Sequence, residues 1–303
     1  MQRFAIGVCL WALGWLGGWT CAGLTGAEEW RGDSAQPFFA FCMDTHDAKK
    51  RNLEEQARML KDLGYDGAGH IGLDQVRDRL ARLDQAGLRL FQIYVVINVG
   101  PDGPAYDPRI IECFSLLKGR STQVALTLRG LPPGDPSGDE RAVAVLRELA
   151  AAAAEHQVEL VLYPHAGDWV QAIEEAVRVA EKVDRPNLGV MFNLCHWLQV
   201  SPDRDFERAL RLCRPWLRAV SINGANEHSD KADWSEYLRP LGTGSFDVLR
   251  FLRVLRDVGY SGPIGLQCYG IPGDAAEHLA ASIAVWRQYQ ERLSSGTKRQ
   301  SDQ

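Results

Sequence analysis

Two short stretches of this 303-residue chain bring together side chains that could do acid–base or metal chemistry. In VELVLYPHAG (158–167), Tyr163 stands two residues before His165. In NLGVMFNLCHW (187–197), an apolar run ends in Asn193, and Cys195, His196 and Trp197 follow. A free imidazole titrates near neutrality, at about 6.5, so His165 and His196 are the candidate catalytic acid–base groups. The alternative is that both hydrogen-bond within a site and hold its shape. An aspartate at position 193 would mark a metal site, whereas the asparagine found there is neutral.

These groups need a frame. PFFAFCMDT (37–45) reads as a first strand. KRNLEEQARMLKDLG follows as a helix, with Leu53, Ala57 and Leu60 on one face and Gly64 at its end. Further strands are expected at 65–70, 88–99, 122–130, 158–167, 187–196, 217–226 and 262–270, each separated from the next by a helical pattern. Asp168 is placed to cap the fifth helix, whose Val170, Ile173 and Val177 share a face. Eight strand–helix units in one run predict an α/β fold, a single (β/α)8 TIM barrel over 37–293. An open doubly wound sheet is the runner-up. It lacks support because FCMDTHD, with no glycine-rich phosphate loop, ends the first strand.

In such a barrel the site forms where the C-terminal strand ends meet their loops. Collecting those ends gives the candidate substrate-binding residues Asp44, His46, Tyr94, Arg129, Tyr163, Asn193, Trp197, Ser221, Asn223, Asn226, Gln267 and Tyr269. His70 lies at a strand end as well. Amides, hydroxyls and imidazoles suit sugar hydroxyls, each both donor and acceptor, and Tyr163, Trp197 and Tyr269 could stack on a sugar ring. A core position is the bland alternative for any one of these aromatics. HSDKADWSEYLRP (228–240) is a long loop after the seventh strand that either covers the site or is a solvent-exposed linker.

With VELVLYPHAG, NLGVMFNLCHW, RAVSINGAN, RPLGTGSFD and GPIGLQCYG, the chain from about Phe38 to Leu293 resembles the xylose isomerase-like barrel superfamily. That group includes sugar isomerases, 3-epimerases and family 2 AP endonucleases. Its members carry E-x-H at strand five, D-x-x-H at strand six, H-x-K-D at strand seven and a glutamate at strand eight. The resemblance implies that the two glutamates, the aspartate and the strand-seven histidine bind a divalent metal in the epimerase branch. The glutamates there also move a proton at the sugar carbon. On this chain those four positions fall on Tyr163, Asn193, Ser221 and Gln267, with Asn223 at the lysine position, while His165 and His196 are kept. Four neutral groups hold a divalent cation poorly, and an amide cannot act as a base near neutral pH. No metal and no cofactor are therefore expected. Asp44, His46 and Arg129 could supply charge for a metal-free reaction.

The apolar run Phe4–Trp19 after MQR, followed by small residues up to Ala27, reads as a secretory signal over 1–27, with an uncleaved anchor as the alternative. A linker (28–36) and a polar tail (294–303) flank the barrel, and a secreted or periplasmic location is expected. The mature part keeps Cys42, Cys113, Cys195, Cys213 and Cys268, an odd and irregular set that is no disulfide framework. A net charge of −5 without a basic cluster argues against a nucleic-acid partner. The expected ligand is a small sugar or glycoside; the mature chain is not expected to span a membrane, and no protein partner can be read from the sequence. Two functions stand: a carbohydrate isomerase, epimerase or lyase that has left the usual metal, or a non-catalytic sugar-binding or scaffold protein.

Overall fold

The computed structural model describes residues 36–228 and 233–301. The segments read as a signal (1–27) and, but for Gln36, as a linker (28–36) lie outside the described residues.

The chain alternates strand and helix. β1 (Phe38–Phe41), α1 (Leu53–Leu63), β2 (Gly67–Ile71), α2 (Val76–Ala86), β3 (Arg89–Asn98), α3 (Arg109–Leu117), β4 (Gln123–Arg129) and α4 (Asp139–Glu155) make the first half. The second half is β5 (Leu160–Leu162), α5 (Ile173–Val183), β6 (Leu188–Asn193), α6 (Leu194–Val200), α7 (Phe206–Cys213), β7 (Leu217–Ile222), α8 (Trp234–Tyr237), α9 (Val248–Asp257), β8 (Ile264–Gln267) and α10 (Ala275–Ser301). All eight strands are parallel, each pairs with its sequence neighbour, and β8 closes on β1 through pairs such as Phe41 with Gln267. The expected (β/α)8 barrel is the observed fold. Among the described residues no helix is long and apolar enough to cross a membrane.

Two packing layers follow from the strand period of two. Outward side chains such as Leu126, Leu160 and Val190 join the helices in the large core. Inward ones, including Phe39, Phe41, Tyr94, Ala125, Val161, Tyr163, Met191 and Ala219, form a separate buried cluster inside the barrel. Glycine is required on β2: a Cβ on Gly69 would come within 2.6 Å of Phe41 Cβ and 2.9 Å of the Tyr94 ring. The missing Cβ lets those two rings stack at 4.9 Å.

The seam between β1 and α10 is tied by charge. Asp47, buried in the loop after β1, accepts from the backbone amides of Lys49, Arg51 and Ala275 and from Arg51 Nη1 at 2.8 Å. Arg51 Nη2 reaches Asp274 at 2.6 Å.

Several element boundaries differ from the sequence reading. β5 is only three residues long, so His165 lies in the loop beyond it. The sixth strand stops at Asn193 and α6 begins at once. The Asn193 side chain is the N-cap, its Oδ1 accepting from His196 N at 3.3 Å, which turns the apolar LCHWLQV from strand to helix. Asp168 does not cap α5. That helix starts at Ile173, where Glu175 Oε2 accepts from the Gln171 and Ala172 amides, while Asp168 pairs with Arg129. The tail expected from 294 continues α10 to Ser301, with Ser294 and Ser295 hydroxyls bonded back to the carbonyls of Gln290 and Glu291.

Candidate functional site

Tyr163, Asn193, Ser221 and Gln267 meet at the C-terminal end of the barrel, one from each of the last four strand ends. Asn193 and Ser221 are register partners, and Gln267 pairs with Phe41. All four are buried. The Tyr163 phenol oxygen accepts from Asn193 Nδ2 at 2.9 Å and from Gln267 Nε2 at 3.4 Å.

The orientation of both amides is set by the backbone. Asn193 Oδ1 is held by the His196 amide and by the Cys195 thiol at 3.0 Å, and Gln267 Oε1 accepts from Tyr269 N at 3.1 Å. Their N–H ends therefore point inward. Ser221 Oγ is fully buried with no partner among the described residues. Burial pushes the Tyr163 phenol well above its ordinary pKa, so it stays protonated.

This donor set does not fit a divalent metal. Such a cation needs lone pairs, preferably anionic, directed at it, and here two amides direct N–H groups into the centre with a neutral phenol between them. Among the described residues no group of three or more His, Cys, Asp and Glu side chains is placed to hold a metal ion.

His165 and His196 lie beside this centre with ring centroids 4.0 Å apart and planes tilted by 39°, each T-shaped to the Tyr163 ring. His196 is buried on α6. Its Nδ1 accepts from Ala166 N at 3.2 Å, which leaves the proton of the neutral ring on Nε2. Burial, reinforced by His165, holds its pKa well below the ordinary value. His165 keeps 29% of its side chain exposed, with Nδ1 3.6 Å from Asp168 Oδ2. Burial lowers its pKa too, Asp168 opposing and Arg129 adding to the shift. Arg129 Nε donates to Asp168 at 2.9 Å, so the carboxylate stands between guanidinium and imidazole. At neutral pH both imidazoles are uncharged, and His165 is the one a ligand can reach.

The remaining candidates separate into rim, interior and scaffold. His46 and the half-exposed Tyr269 face each other on the rim at 5.3 Å, and Asp44 lies on the same β1 loop. Tyr94 sits inside the barrel, buried, its hydroxyl donating to Gln92 at 2.8 Å. Three further candidates are held by other contacts. Trp197 packs in the outer core against Phe192 and Phe206, because α6 turns it away from the mouth. Asn223 is fully buried and donates to the Gly224 and Tyr237 carbonyls. Asn226 binds the Glu236 carboxylate and the Ser245 amide. Both asparagines fasten the loop that carries α8.

One residue that the sequence reading missed belongs here, and the long loop after β7 brings a second. Arg79, 1% exposed, donates through Nε to His70 Nδ1 at 3.3 Å and lies 3.8 Å from Asp44. Its signal was an arginine on the apolar face of α2, between Val76 and Leu80. The Trp234 ring, from α8, stands T-shaped to that of His196 with centroids 5.1 Å apart.

Residues 57–289 match the family described as xylose isomerase-like TIM barrel. No curated protein matches the chain. Among solved structures, the chain is similar to a 3-keto-D-glucoside 4-epimerase from E. coli, with a TM-score of 0.67 and 18% identity over 84% of this chain and 100% of that one. It is also similar to an L-ribulose 3-epimerase (TM-score 0.69, 16% identity, 88% of this chain and 98% of that one). A third is a xylose isomerase-like TIM barrel/4-hydroxyphenylpyruvate dioxygenase fusion protein (TM-score 0.68, 18% identity), where 89% of this chain spans 45% of the longer protein. At these identities the structures speak for the fold. With most of its length matched and its eight strands closed, this chain belongs to the xylose isomerase-like TIM barrel family.

Proposed function

We propose that the chain is an exported, carbohydrate-binding barrel of the isomerase and epimerase type that has given up metal-dependent chemistry. One observation carries this: the Asn193 and Gln267 amides both direct N–H groups at the Tyr163 hydroxyl, occupying the centre where a cation would need lone pairs. Around that centre the mouth offers imidazole, phenol and carboxylate groups, with Tyr269, Ile71 and Val96 as an apolar rim. Such a mixture suits a sugar, which has hydroxyls at its edge and C–H groups on its face. Two of the similar structures are a 3-keto-D-glucoside 4-epimerase and an L-ribulose 3-epimerase, which favours the same ligand class.

Calorimetry tests the reading. Titration with manganese, magnesium, zinc and cobalt should give no tight one-to-one binding, and a panel of free sugars and glycosides should include a ligand. Stoichiometric metal held through Asn193 and Gln267 would overturn it. For export, protein isolated from its native type of cell should begin near Glu28; intact Met1 in the soluble cytoplasmic fraction would defeat that part.

A second reading is favoured by His165. Its Nδ1 is buried 3.6 Å from Asp168 Oδ2, outside hydrogen-bond distance; with the proton on that nitrogen, Nε2 would be free to act as a base. A metal-free isomerase or lyase would use it to take a proton from the carbon beside a sugar carbonyl, with Asp168 stabilising the imidazolium. Incorporation of solvent deuterium into a bound ketose or 3-keto-sugar, abolished in His165→Gln, is the expected signature. A bound sugar that exchanges no hydrogen leaves the non-catalytic reading standing.

A further inference from the structure

We propose that a groove beside the barrel mouth is a second saccharide subsite, so that the ligand is a glycoside or short oligosaccharide with one ring at the mouth and the next in the groove. This rests on the sugar reading above and narrows its ligand. The groove, about 450 Å³, is lined by Ala166, Gly167, Gln171, Gln199, Val200 and Trp234. It adjoins the His165–His196 pair: Ala166 and Gly167 follow His165 directly, and the Trp234 ring lies 5.1 Å from that of His196.

Its chemistry is that of a neutral polyhydroxy ring. Trp234 remains 37% exposed although its ring stands T-shaped to that of His196, so part of the indole is open to a ligand. An aromatic platform takes the C–H face of a pyranose. Two amides supply the polar edge. Gln171 Oε1 accepts from Gly167 N at 3.1 Å, while its Nε2 makes no hydrogen bond among the described residues. Gln199 Oε1 is enclosed without a partner among the described residues, and rotating that amide would let it serve a sugar hydroxyl as donor or acceptor. The wall at Gly167 is open, with no atom within 4 Å of where a Cβ would stand. No Lys, Arg, Asp or Glu side chain among the described residues lines the groove, which disfavours phosphorylated or acidic ligands. The volume falls within the range of small-molecule sites, about 300–1,000 Å³.

Calorimetry on the full chain tests the subsite with glucose, xylose, cellobiose, maltose and xylobiose as probes. At least one disaccharide should bind about tenfold or more tighter than its monosaccharide. Trp234→Ala should bring that ratio close to one, and Trp234→Phe should restore part of it. Gln199→Leu, which leaves the aromatic ring in place, should also lower the ratio and covers the case in which Trp234→Ala fails to fold. Monosaccharide binding with no disaccharide advantage, or a ratio unmoved by these variants, overturns the subsite and leaves the sugar reading intact. No binding by any of the five overturns both.

Discussion

Asn193 donates its Nδ2 hydrogen to the Tyr163 phenol oxygen at 2.9 Å while its Oδ1 caps α6. One side chain thus ties the end of β6 to Tyr163 beyond β5 and starts the helix that carries His196. The amide at position 193 matters structurally as well as electrostatically, since an aspartate could cap the helix equally but could not donate to the phenol.

Asn193→Ala should therefore cost about 2–3 kcal/mol, combining a lost N-cap with a buried hydroxyl left without its donor. Asn193→Asp, which keeps the cap, should cost less, because the phenol can turn to donate to the new carboxylate. Urea denaturation of the three proteins checks the order. Equal losses for both variants would show that the cap contributes nothing measurable.

The barrel was legible in the sequence because strand and helix periods alternate eight times. The inward set Tyr163, Asn193, Ser221 and Gln267 was legible because each ends an apolar run. What misled were features set by single side chains. LCHWLQV is apolar and short, so strand and helix look alike in it until the Asn193 cap is seen, and with the helix Trp197 moves into the core. Asn223 and Asn226 have the composition of a sugar site, but their bonds run to the chain around α8, a contact distant from any local pattern. Arg79 reaches the site from α2, away from any strand end, and Trp234 arrives on the long loop after β7, whose sequence left open a cover or a linker.

Stability should fall as pH is lowered from about 7.5 to about 5.5. Burial lowers the pKa of His70, His165, His196 and His278 in the folded chain. Below the unfolded value of about 6.5, the unfolded chain takes up protons that the folded chain refuses, so stability is full above that pH and is lost beneath it. Asp44, Asp74 and Arg79 face His70; Asp168 and Arg129 face His165; His165 faces His196; Asp47 and Asp274 face His278. His196→Gln should flatten the slope of unfolding free energy against pH across this window. An unchanged slope would remove His196 as a contributor.

The β1–α10 seam predicts a different acid response. Burial favours the neutral form of Asp47, but the amides of Ala275, Arg51 and Lys49 and the Arg51 guanidinium outweigh it and lower its pKa. Its contribution is present above the ordinary carboxylate value of about 3.9 and is lost only as pH falls through the lower folded value, well outside the histidine window. Asp47→Ala should cost about 2–4 kcal/mol at pH 7, since it strips four donors of their acceptor. Chemical denaturation at pH 7 measures this directly.

The charges around His165 should set its pKa in opposite directions. Asp168, 3.6 Å away, favours the imidazolium, and Arg129, which holds that carboxylate at 2.9 Å, opposes it. Asp168→Asn should therefore lower the His165 pKa further, and Arg129→Gln should raise it. The two changes differ in another respect. The amide introduced by Asp168→Asn would still accept the Arg129 hydrogen bond and keep the loop in place. Arg129→Gln would instead release the Asp168 carboxylate to approach His165 more closely. An NMR titration of the imidazole resonances, assigned through His165→Gln, reads both shifts without any substrate. If Arg129→Gln also lowers the value, or if neither variant moves it, the Arg129–Asp168 pair does not tune this histidine and the case for His165 as a positioned base is lost.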